Sequence, residues 1–256
     1  MQAPPHELAH ITADILARLR ANSPRVHCIT NAVAQALTAN VLLAVGALPL
    51  MTIAPEEVGD FVKRSHALLV NLGTFDAARR EAAAIAIDTA NERGLPWVLD
   101  PVLVDRSTLR AAHAKELAAR APKAVRLNHT EFVTLAGFAP EGGALTGYAR
   151  NIGAVIGLTG ATDFVADGGR LAAIGNGHPL MARVTALGCA ASALVAACLA
   201  VERDAWRATA AALLAIGVAG ELAAQRARGP GSFAVEILDA LYALDRDMLI
   251  ARAKVS

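Results

Sequence analysis

The sequence has few aromatic residues, few cysteines and almost no excess charge of either sign. Aromatic residues make up 4% of the 256 residues. The three cysteines, Cys28, Cys189 and Cys198, show no CxxC spacing, which argues against a disulfide framework and against a structural zinc site. The 24 Lys and Arg residues nearly balance the 23 Asp and Glu residues. Since no basic block is present either, nucleic acid is not an expected partner.

What the sequence has in abundance is small apolar residues. Hydrophobic residues make up 55% and the mean hydropathy is +0.41, which excludes a disordered chain. Roughly a quarter of the residues are alanine, which is unusual for an average globular chain. Alanine favours helices and close packing but buries little area per residue. We therefore expect many tightly packed helices and a stability that oligomer interfaces support.

Neither the N-terminal segment nor the longest uncharged run predicts a membrane protein. The N-terminal segment MQAPPHELAHITADIL carries acidic residues and no apolar core of the signal-peptide type, which favours a cytoplasmic location. The uncharged run 184–201 is about as long as a membrane span. It consists mostly of small residues, which pack closely inside a protein. A buried helix is the favoured interpretation, and a membrane span is the alternative.

Short apolar runs alternate with longer amphipathic runs along the chain. Asn31 is predicted to cap a helix that stops at Gly46, Pro55 to begin another, and Asp76 to begin a third that ends at Arg93. From Gly188 the chain is predicted to be helical almost to its end, with a break at 228–232. The predicted strands are 26–29, 48–51, 67–71, 97–101, 124–128 and 154–160, with a hairpin over 163–174.

Repeated βα units predict an α/β fold with a mostly parallel sheet that helices cover on both faces. We expect a single three-layer domain over residues 1–256. In such sheets ligands bind outside the carboxyl ends of the strands. The polar residues that close the predicted strands are therefore the first functional candidates: Asn31, 71–74, Asp100, 128–131, Thr159 and Gly160.

The strongest local feature is VTALGCAASALVAA, residues 184–197, where a small-residue loop leads into a helix. The backbone amides from Ala186 to Cys189 are placed to meet an anion, because a helix N-terminus offers unpaired N–H groups and partial positive charge. A transferring phosphoryl group would be stabilised there. The same position predicts a lowered pKa for the Cys189 thiol. A buried cysteine that packs the start of a helix is an equally favoured alternative.

Two acidic positions follow predicted strands. Glu131 lies in NHTE, just inside a helix after a strand, where a carboxylate can hold hydrated Mg²⁺ beside phosphates. Arg126, in the strand before it, can meet those phosphates. Asp100 ends a strand before Pro101 and suits a metal or a phosphate-bound water. The alternatives are a helix cap at NHTE, which is favoured on this motif alone, and a turn at Asp-Pro.

Two further segments, HCITN (27–31) and LGTF (72–75), bring amide and hydroxyl groups to strand ends. Such groups recognise small polar heterocycles, although Asn31 and Thr74 are each also typical helix caps. The sequence contains no GxxxxGK[ST], GxGxxG or GxSxG motif. A Walker-type NTPase, a Rossmann dehydrogenase and an α/β-hydrolase therefore lose support.

In combination, these segments resemble the hydroxyethylthiazole kinase family, which belongs to the ribokinase-like kinases and serves thiamine salvage. The similarity covers most of the chain, from about Arg25 to Leu244, with the motifs in the same order. The segments that carry it are VHCITNAVAQALTANVLLAVGALPLM, APEEV, LLVNLGTF, VLDPV, GNGHPLMARVTALGCAASALVAA and GPGSFAVEILDALYAL.

The resemblance implies ATP-dependent phosphorylation of the hydroxyl of 4-methyl-5-(2-hydroxyethyl)thiazole, with Mg²⁺ and a homotrimer whose thiazole sites lie near subunit interfaces. It assigns a thiazole-binding group, a nucleotide-binding group, an acidic pair near Mg²⁺ and an anion loop with a catalytic cysteine. Thiazole-binding positions are Met51, Asn31, Gly73, Thr74 and Ala186. Nucleotide-binding positions are Arg126, Thr159 and Asn128. The acidic pair is Asp100 and Glu131, and the catalytic positions are Gly188 and Cys189.

The chain departs from the family pattern in two motifs. The usual GTGC-like anion loop is ALGC here, so Ala186 replaces a glycine, and the loop survives this change most easily if Ala186 has a negative φ. The usual RGNASE is RLNHTE, so Leu127 replaces a glycine beside the nucleotide. One alternative to the thiazole kinase is a kinase of another small alcohol, such as hydroxymethylpyrimidine, on the same fold. The departures suggest a second alternative, a thiazole- or nucleotide-binding protein with reduced turnover.

Overall fold

The computed structural model describes residues 5–256; the first residues of the N-terminal segment interpreted above, 1–4, lie outside them. Its centre is one eight-stranded sheet in the order β2-β1-β3-β4-β5-β6-β7-β8. Strands β1 to β6 pair in parallel, and β7 and β8 pair antiparallel. The strands are β1 (Arg25–Ile29), β2 (Leu48–Leu50), β3 (Ala67–Asn71), β4 (Trp97–Asp100), β5 (Ala124–Asn128), β6 (Val155–Thr159), β7 (Asp163–Ala166) and β8 (Leu171–Ile174).

Helices cover both faces of the sheet. One apolar core lies between the sheet and the helices α1, α2, α8, α9, α10 and α11, and the other lies under α3 to α7. The helices are α1 (Pro5–Asn22), α2 (Gln35–Ala44), α3 (Pro55–Lys63), α4 (Ala77–Glu92), α5 (Thr108–Ala118), α6 (His129–Ala136), α7 (Ala144–Ile152), α8 (Leu187–Val201), α9 (Ala205–Arg226), α10 (Pro230–Ala243) and α11 (Arg246–Arg252).

Strand residues divide between the two cores because successive side chains point to opposite faces. Leu69 packs in the first core, while its neighbours Leu68 and Val70 pack in the second. The strands are therefore apolar on both faces, as a parallel sheet between two helical layers requires. The predicted three-layer α/β fold is confirmed, as are the hairpin and the helix that Asp76 caps.

Several predicted boundaries were wrong. Helix α2 begins at Gln35 with Ala34 as its N-cap, and Asn31 does not cap it, because the Asn31 side chain is bound elsewhere. The helical C-terminal part has a further break at 202–204, where Asp204 caps α9. Proline at the start of α10 explains why the predicted break at 228–232 ends earlier than expected.

The uncharged run 184–201 forms a buried central helix, as predicted. Helix α8 has 15 residues, and almost all of them are buried. Within residues 5–256, the helix long and apolar enough to cross a membrane is instead α9, and 78% of its most apolar window is buried inside the protein. Both α8 and α9 are apolar because they pack into the first core.

Candidate active site at the carboxyl edge of the sheet

The carboxyl ends of β1, β3, β4, β5 and β6 meet the N-terminus of α8. Asn31 follows β1 and donates a hydrogen bond to Cys189 of α8 over 3.2 Å. Asn71 and Asp100, at the ends of β3 and β4, are register partners. Most of the predicted site residues are thus brought together, because parallel strands end at the same edge of the sheet.

Asp100 is the most buried acid of the site, with 0% of its surface exposed. Asn71 Nδ2 donates to its Oδ2 over 2.6 Å, and Ser192 Oγ donates to the same oxygen over 2.9 Å. Its Oδ1 is buried and has no hydrogen-bond partner among the described residues. Burial raises the pKa of Asp100 to about 6, although the positive charge of Arg126 opposes this shift. The predicted alternative of a turn at Asp-Pro does not explain such burial.

A chain of side-chain hydrogen bonds runs from Asp100 to Cys189. Asn71 Oδ1 accepts from Asn31 Nδ2 over 3.0 Å, and the same Asn31 amide donates to Cys189 Sγ. An ionised carboxylate only accepts hydrogen bonds, so Asp100 fixes the orientation of Asn71. Asn71 in turn fixes the orientation of Asn31. The sulfur of Cys189 is the acceptor at the end of this chain.

The expectation of a lowered pKa for Cys189 was wrong. Burial and the negative charge of Asp100 raise the pKa of this thiol to about 11, and the hydrogen bonds from the two asparagines offset only part of the shift. The partial charge of a helix N-terminus is too small to overcome the loss of hydration at a side chain that is 8% exposed. Cys189 is therefore a protonated thiol near neutral pH.

Arg126 joins the site from β5. Its Nη2 donates to Thr159 Oγ1 of the neighbouring strand over 2.6 Å, while its Nε is buried without a partner among the described residues. A Cβ on Gly188 would lie 2.8 Å from Arg126 Nη1, so the first turn of α8 packs directly on the guanidinium. Arg126, Thr159 and Gly188 form one contiguous surface.

This surface lines a cleft of about 560 Å³, the size of a site for a small organic ligand. Leu187, Leu213 and Ile216 are among its apolar lining residues, and Asp163 and Asn176 are among its polar ones. The cleft therefore combines a guanidinium with apolar side chains, a combination suited to a phosphorylated ligand that has a flat apolar part.

Glu131 and Asn128 form a capping box at the start of α6. Asn128 Oδ1 accepts from the backbone N–H of Glu131, and Glu131 Oε2 accepts from that of Asn128. Glu131 Oε1 accepts from the backbone N–H of Leu103 over 3.1 Å. The helix-cap interpretation of NHTE is therefore confirmed. Glu131 nevertheless lies close enough to Asp100 for its charge to raise the pKa of Asp100.

The thiazole-side candidates lie across β1 and β3. Gly73 approaches Asn31 so closely that a Cβ on Gly73 would lie 2.6 Å from Asn31 Cβ. Thr74 Oγ1 accepts from the backbone N–H of Ala32, so it does not cap a helix. Met51 directly follows the edge strand β2 and packs half-buried against the first core. Met51 takes no part in the polar chain around Asn31.

Ala186 departs from the expected backbone geometry. It is the N-cap of α8 and has a φ of +68°, the left-handed region that favours glycine. Ala186 therefore lacks the negative φ with which the ALGC loop was expected to survive this change most easily, and the loop has a left-handed turn with an alanine in it. No side chain among the described residues caps this N-terminus.

Leu127, which replaces a glycine of the family pattern, is not among the residues that line the cleft. It is fully buried in the second core, because neighbouring strand residues point to opposite faces and Arg126 takes the cleft side. Leucine in place of the family's glycine therefore adds a side chain to the second core and none to the cleft.

Sequence reasoning missed three polar residues of the site. Ser192 lies one turn after Gly188 on α8, and that helical spacing was a usable signal. Asp163 follows the LTG turn and accepts from the backbone N–H of Gly160 over 2.9 Å; burial raises its pKa to about 6. Asn176 is buried and donates to Glu221 and to the carbonyl of Arg252. No local motif predicts the roles of Asp163 or Asn176.

The chain is similar to known proteins over most of its length. The model of the hydroxyethylthiazole kinase family matches residues 16–247. A hydroxyethylthiazole kinase of Granulibacter bethesdensis is 46% identical over 258 residues, which cover 94% of this chain and 93% of the relative. The solved structure of a hydroxyethylthiazole kinase from Pyrococcus horikoshii OT3 is 38% identical with a TM-score of 0.91, over 96% of this chain and 98% of that one.

A more distant solved structure supports the fold alone. A ribokinase-like superfamily protein of Enterococcus faecalis is 13% identical with a TM-score of 0.70, over 96% of both chains. The three-layer α/β/α fold is therefore ribokinase-like, as the sequence resemblance implied.

Proposed function

This chain belongs to the hydroxyethylthiazole kinase family, and we propose from that premise how its own residues act in the reaction. The enzyme phosphorylates the hydroxyl of the thiazole alcohol in thiamine salvage, with ATP as the phosphoryl donor. The observation that carries the residue assignment is the contact between Arg126 in the cleft and Gly188 at the start of α8. This contact joins a nucleotide-sized cleft to the buried side-chain hydrogen bonds that link Asp100, Asn71, Asn31 and Cys189.

ATP binds in the cleft, with its phosphates toward Arg126 and Thr159. The unpartnered Nε of Arg126 supports this assignment, because a buried donor without a partner costs free energy unless a ligand or water satisfies it. Asn128, which caps α6 at the end of β5, holds the adjoining turn next to the phosphates.

The donor set fits Mg²⁺. Mg²⁺ is usually held by one or two carboxylates together with water and substrate phosphates. Within residues 5–256 no group of three or more His, Cys, Asp and Glu side chains is arranged for a metal, so a cage built by the protein alone is not present there. Asp100 supports the assignment with its unpartnered Oδ1. Glu131, whose oxygens each accept one backbone N–H, acts through water.

When bound, Mg²⁺ neutralises phosphate charge. The chain's own part is to position the reactants. The thiazole lies against Met51 and the turn of Gly73 and Thr74, with its hydroxyl toward Cys189. Cys189 orients this hydroxyl as a neutral hydrogen-bond partner, since its raised pKa keeps the thiol protonated. The first-turn amides after Ala186 have no partner within the helix and face the transferring phosphoryl group.

We propose that the enzyme is a single-domain, cytoplasmic homotrimer whose thiazole sites adjoin the subunit interfaces. Apolar side chains are exposed around the edge strand β2, which has no second neighbour in the sheet. Leu48 in this strand is 44% exposed, and Leu43 in the helix α2, which packs beside it, is 53% exposed. Met51 directly follows this edge strand, which supports an interface beside the thiazole.

The test is a transfer assay with purified protein, ATP, Mg²⁺ and hydroxyethylthiazole, followed by mass spectrometry. The expected product is the thiazole with one added phosphoryl group, together with ADP. Hydroxymethylpyrimidine, offered alone and in competition, is expected to react more slowly. If the pyrimidine alcohol is the better substrate, or if neither alcohol is phosphorylated, the substrate assignment is wrong. Light scattering of the same preparation measures the oligomeric state.

A further inference from the structure

The two oxygens of the Asp100 carboxylate have different surroundings. Oδ2 accepts two hydrogen bonds, from Asn71 Nδ2 over 2.6 Å and from Ser192 Oγ over 2.9 Å. Oδ1 accepts none among the described residues, although it is buried. Two donors on one oxygen and none on the other fix how the carboxylate is rotated about its bond to Cβ.

Both donors are themselves held in place. Asn71 is 2% exposed, and its Oδ1 accepts from the backbone N–H of Gly73 and from Asn31. Its amide group therefore cannot turn over without breaking two further hydrogen bonds. Ser192 is 0% exposed and lies on α8, whose position the first core fixes.

The hydrogen-bond acceptor of the Ser192 hydroxyl is unusual for a serine inside a helix. Such a hydroxyl commonly bonds to the carbonyl four residues earlier in its own helix. Here that carbonyl, of Gly188, lies 3.4 Å away, while Asp100 Oδ2 lies at 2.9 Å. The shorter hydrogen bond, to an ionised acceptor, is the stronger one. The hydroxyl is therefore directed at Asp100.

We propose that Ser192 is a positioning residue that, together with Asn71, occupies Oδ2 of Asp100 and so leaves Oδ1 as the one oxygen available to the cation that accompanies ATP. This inference rests on the proposed function, in which Asp100 faces Mg²⁺. Ser192 acts through Asp100 and touches neither substrate. Partners that orient a metal-binding carboxylate commonly contribute about 10- to 100-fold to metal affinity or activity.

The experiment compares Ser192→Ala with a matched control, Ser65→Ala. Ser65 is also a buried serine, but its hydroxyl donates only to the carbonyl of Phe61, four residues earlier. Binding of Mn²⁺, used as a probe for Mg²⁺, is measured by electron paramagnetic resonance on each protein with a non-hydrolysable ATP analogue. The kcat and the KM of the thiazole are measured in parallel, and circular dichroism verifies folding.

For Ser192→Ala, the Kd of Mn²⁺ is expected to rise about 10-fold and kcat to fall about 10- to 100-fold, with the thiazole KM within about twofold of the wild type. Ser65→Ala is expected to match the wild type in all three. If Ser192→Ala does not fold, Ser192→Cys carries the same expectation, because a thiol has nearly the same shape and is a weak donor.

A Kd for Mn²⁺ within twofold of the wild type overturns the inference, whatever happens to kcat. An equal rise in the Kd for Ser65→Ala overturns it as well. Failure of the proposed function looks different: the wild-type protein itself would then neither bind Mn²⁺ with the ATP analogue nor phosphorylate the thiazole, and Asp100→Asn would change nothing.

Discussion

A Cβ atom on Gly188 would lie 2.8 Å from Nη1 of Arg126 and 3.2 Å from its Nη2, so the start of α8 and this guanidinium are in direct contact. Gly188→Ala must therefore push the guanidinium aside and weaken its hydrogen bond to Thr159. We expect the KM of ATP to rise about 3- to 10-fold. The thermal unfolding midpoint should hold or rise, because alanine favours a helix more than glycine does. An unchanged KM would show that the contact plays no part in nucleotide binding.

Removal of the guanidinium itself should have a larger effect of the same kind. Arg126→Ala is expected to raise the KM of ATP about 10-fold or more, because a charged donor to phosphate is lost. Arg120→Ala is the control, since Arg120 pairs with Asp88 on the surface. Steady-state kinetics with varied ATP measures both. A KM for ATP that stays at the wild-type value in Arg126→Ala would exclude the proposed contact.

The fold could be predicted from the sequence because its cause is local. Alternating apolar runs and caps such as Asp76 specify βα units, and those units impose a parallel sheet. The same pattern shows at which edge of the sheet the site lies, so Asp100 and Thr159 could be named as candidates from their positions at strand ends.

What failed were properties that depend on tertiary neighbours. Asn31 reads as a helix cap, but its amide binds Cys189, which is 158 residues away along the chain. The direction of the Cys189 pKa shift depends on burial and on Asp100, and neither is visible in a helix-start motif. The left-handed φ of Ala186 could not be predicted from the sequence, because alanine ordinarily avoids that region.

The raised pKa of Asp100 predicts a pH dependence of activity. Burial places this pKa at about 6, and the proposed role needs the ionised carboxylate. We expect kcat/KM to be constant above pH 7 and to fall as the pH decreases through about 6. A pH profile at a fixed Mg²⁺ concentration below saturation measures this, because saturating Mg²⁺ would compete with the proton for Asp100. A profile that stays flat down to about pH 5 would contradict the role of an ionised Asp100.

The raised pKa of Asp100 also predicts that the stability of the fold decreases as the pH rises, which is opposite to the pH dependence expected of activity. The pKa of Asp100 is higher in the folded protein than its ordinary value of 3.8, so the folded state binds more protons between these two values. Stability from this group is therefore greatest at low pH and decreases as the pH rises through about 6. Relative to Asp100→Asn, the wild type should lose stability between pH 4 and pH 7, as urea unfolding would measure. An equal pH dependence in both proteins would contradict the shift.

The protonated thiol of Cys189 predicts a modest role in the chemical step. Cys189→Ala should keep turnover within about 10-fold of the wild type, because an orienting hydrogen bond contributes far less than a base. Cys198→Ala, at a buried cysteine on the same helix, is the control for packing. A loss of about a thousandfold in kcat for Cys189→Ala alone would indicate base catalysis and would require a lower thiol pKa in the substrate complex.

The left-handed backbone at Ala186 predicts a stabilising substitution in the anion loop. A non-glycine residue pays about 1–2 kcal/mol in this conformation, whereas glycine adopts it freely but loses about 0.5–1 kcal/mol of chain entropy on folding. Ala186→Gly should therefore raise the free energy of unfolding by up to about 1.5 kcal/mol and leave kcat within about threefold. Ala190→Gly, four residues later within α8, is the matched control and should lower it, because the same change there removes a buried methyl from a regular helix. If both substitutions destabilise the protein to the same extent in urea unfolding, the turn at Ala186 is not strained.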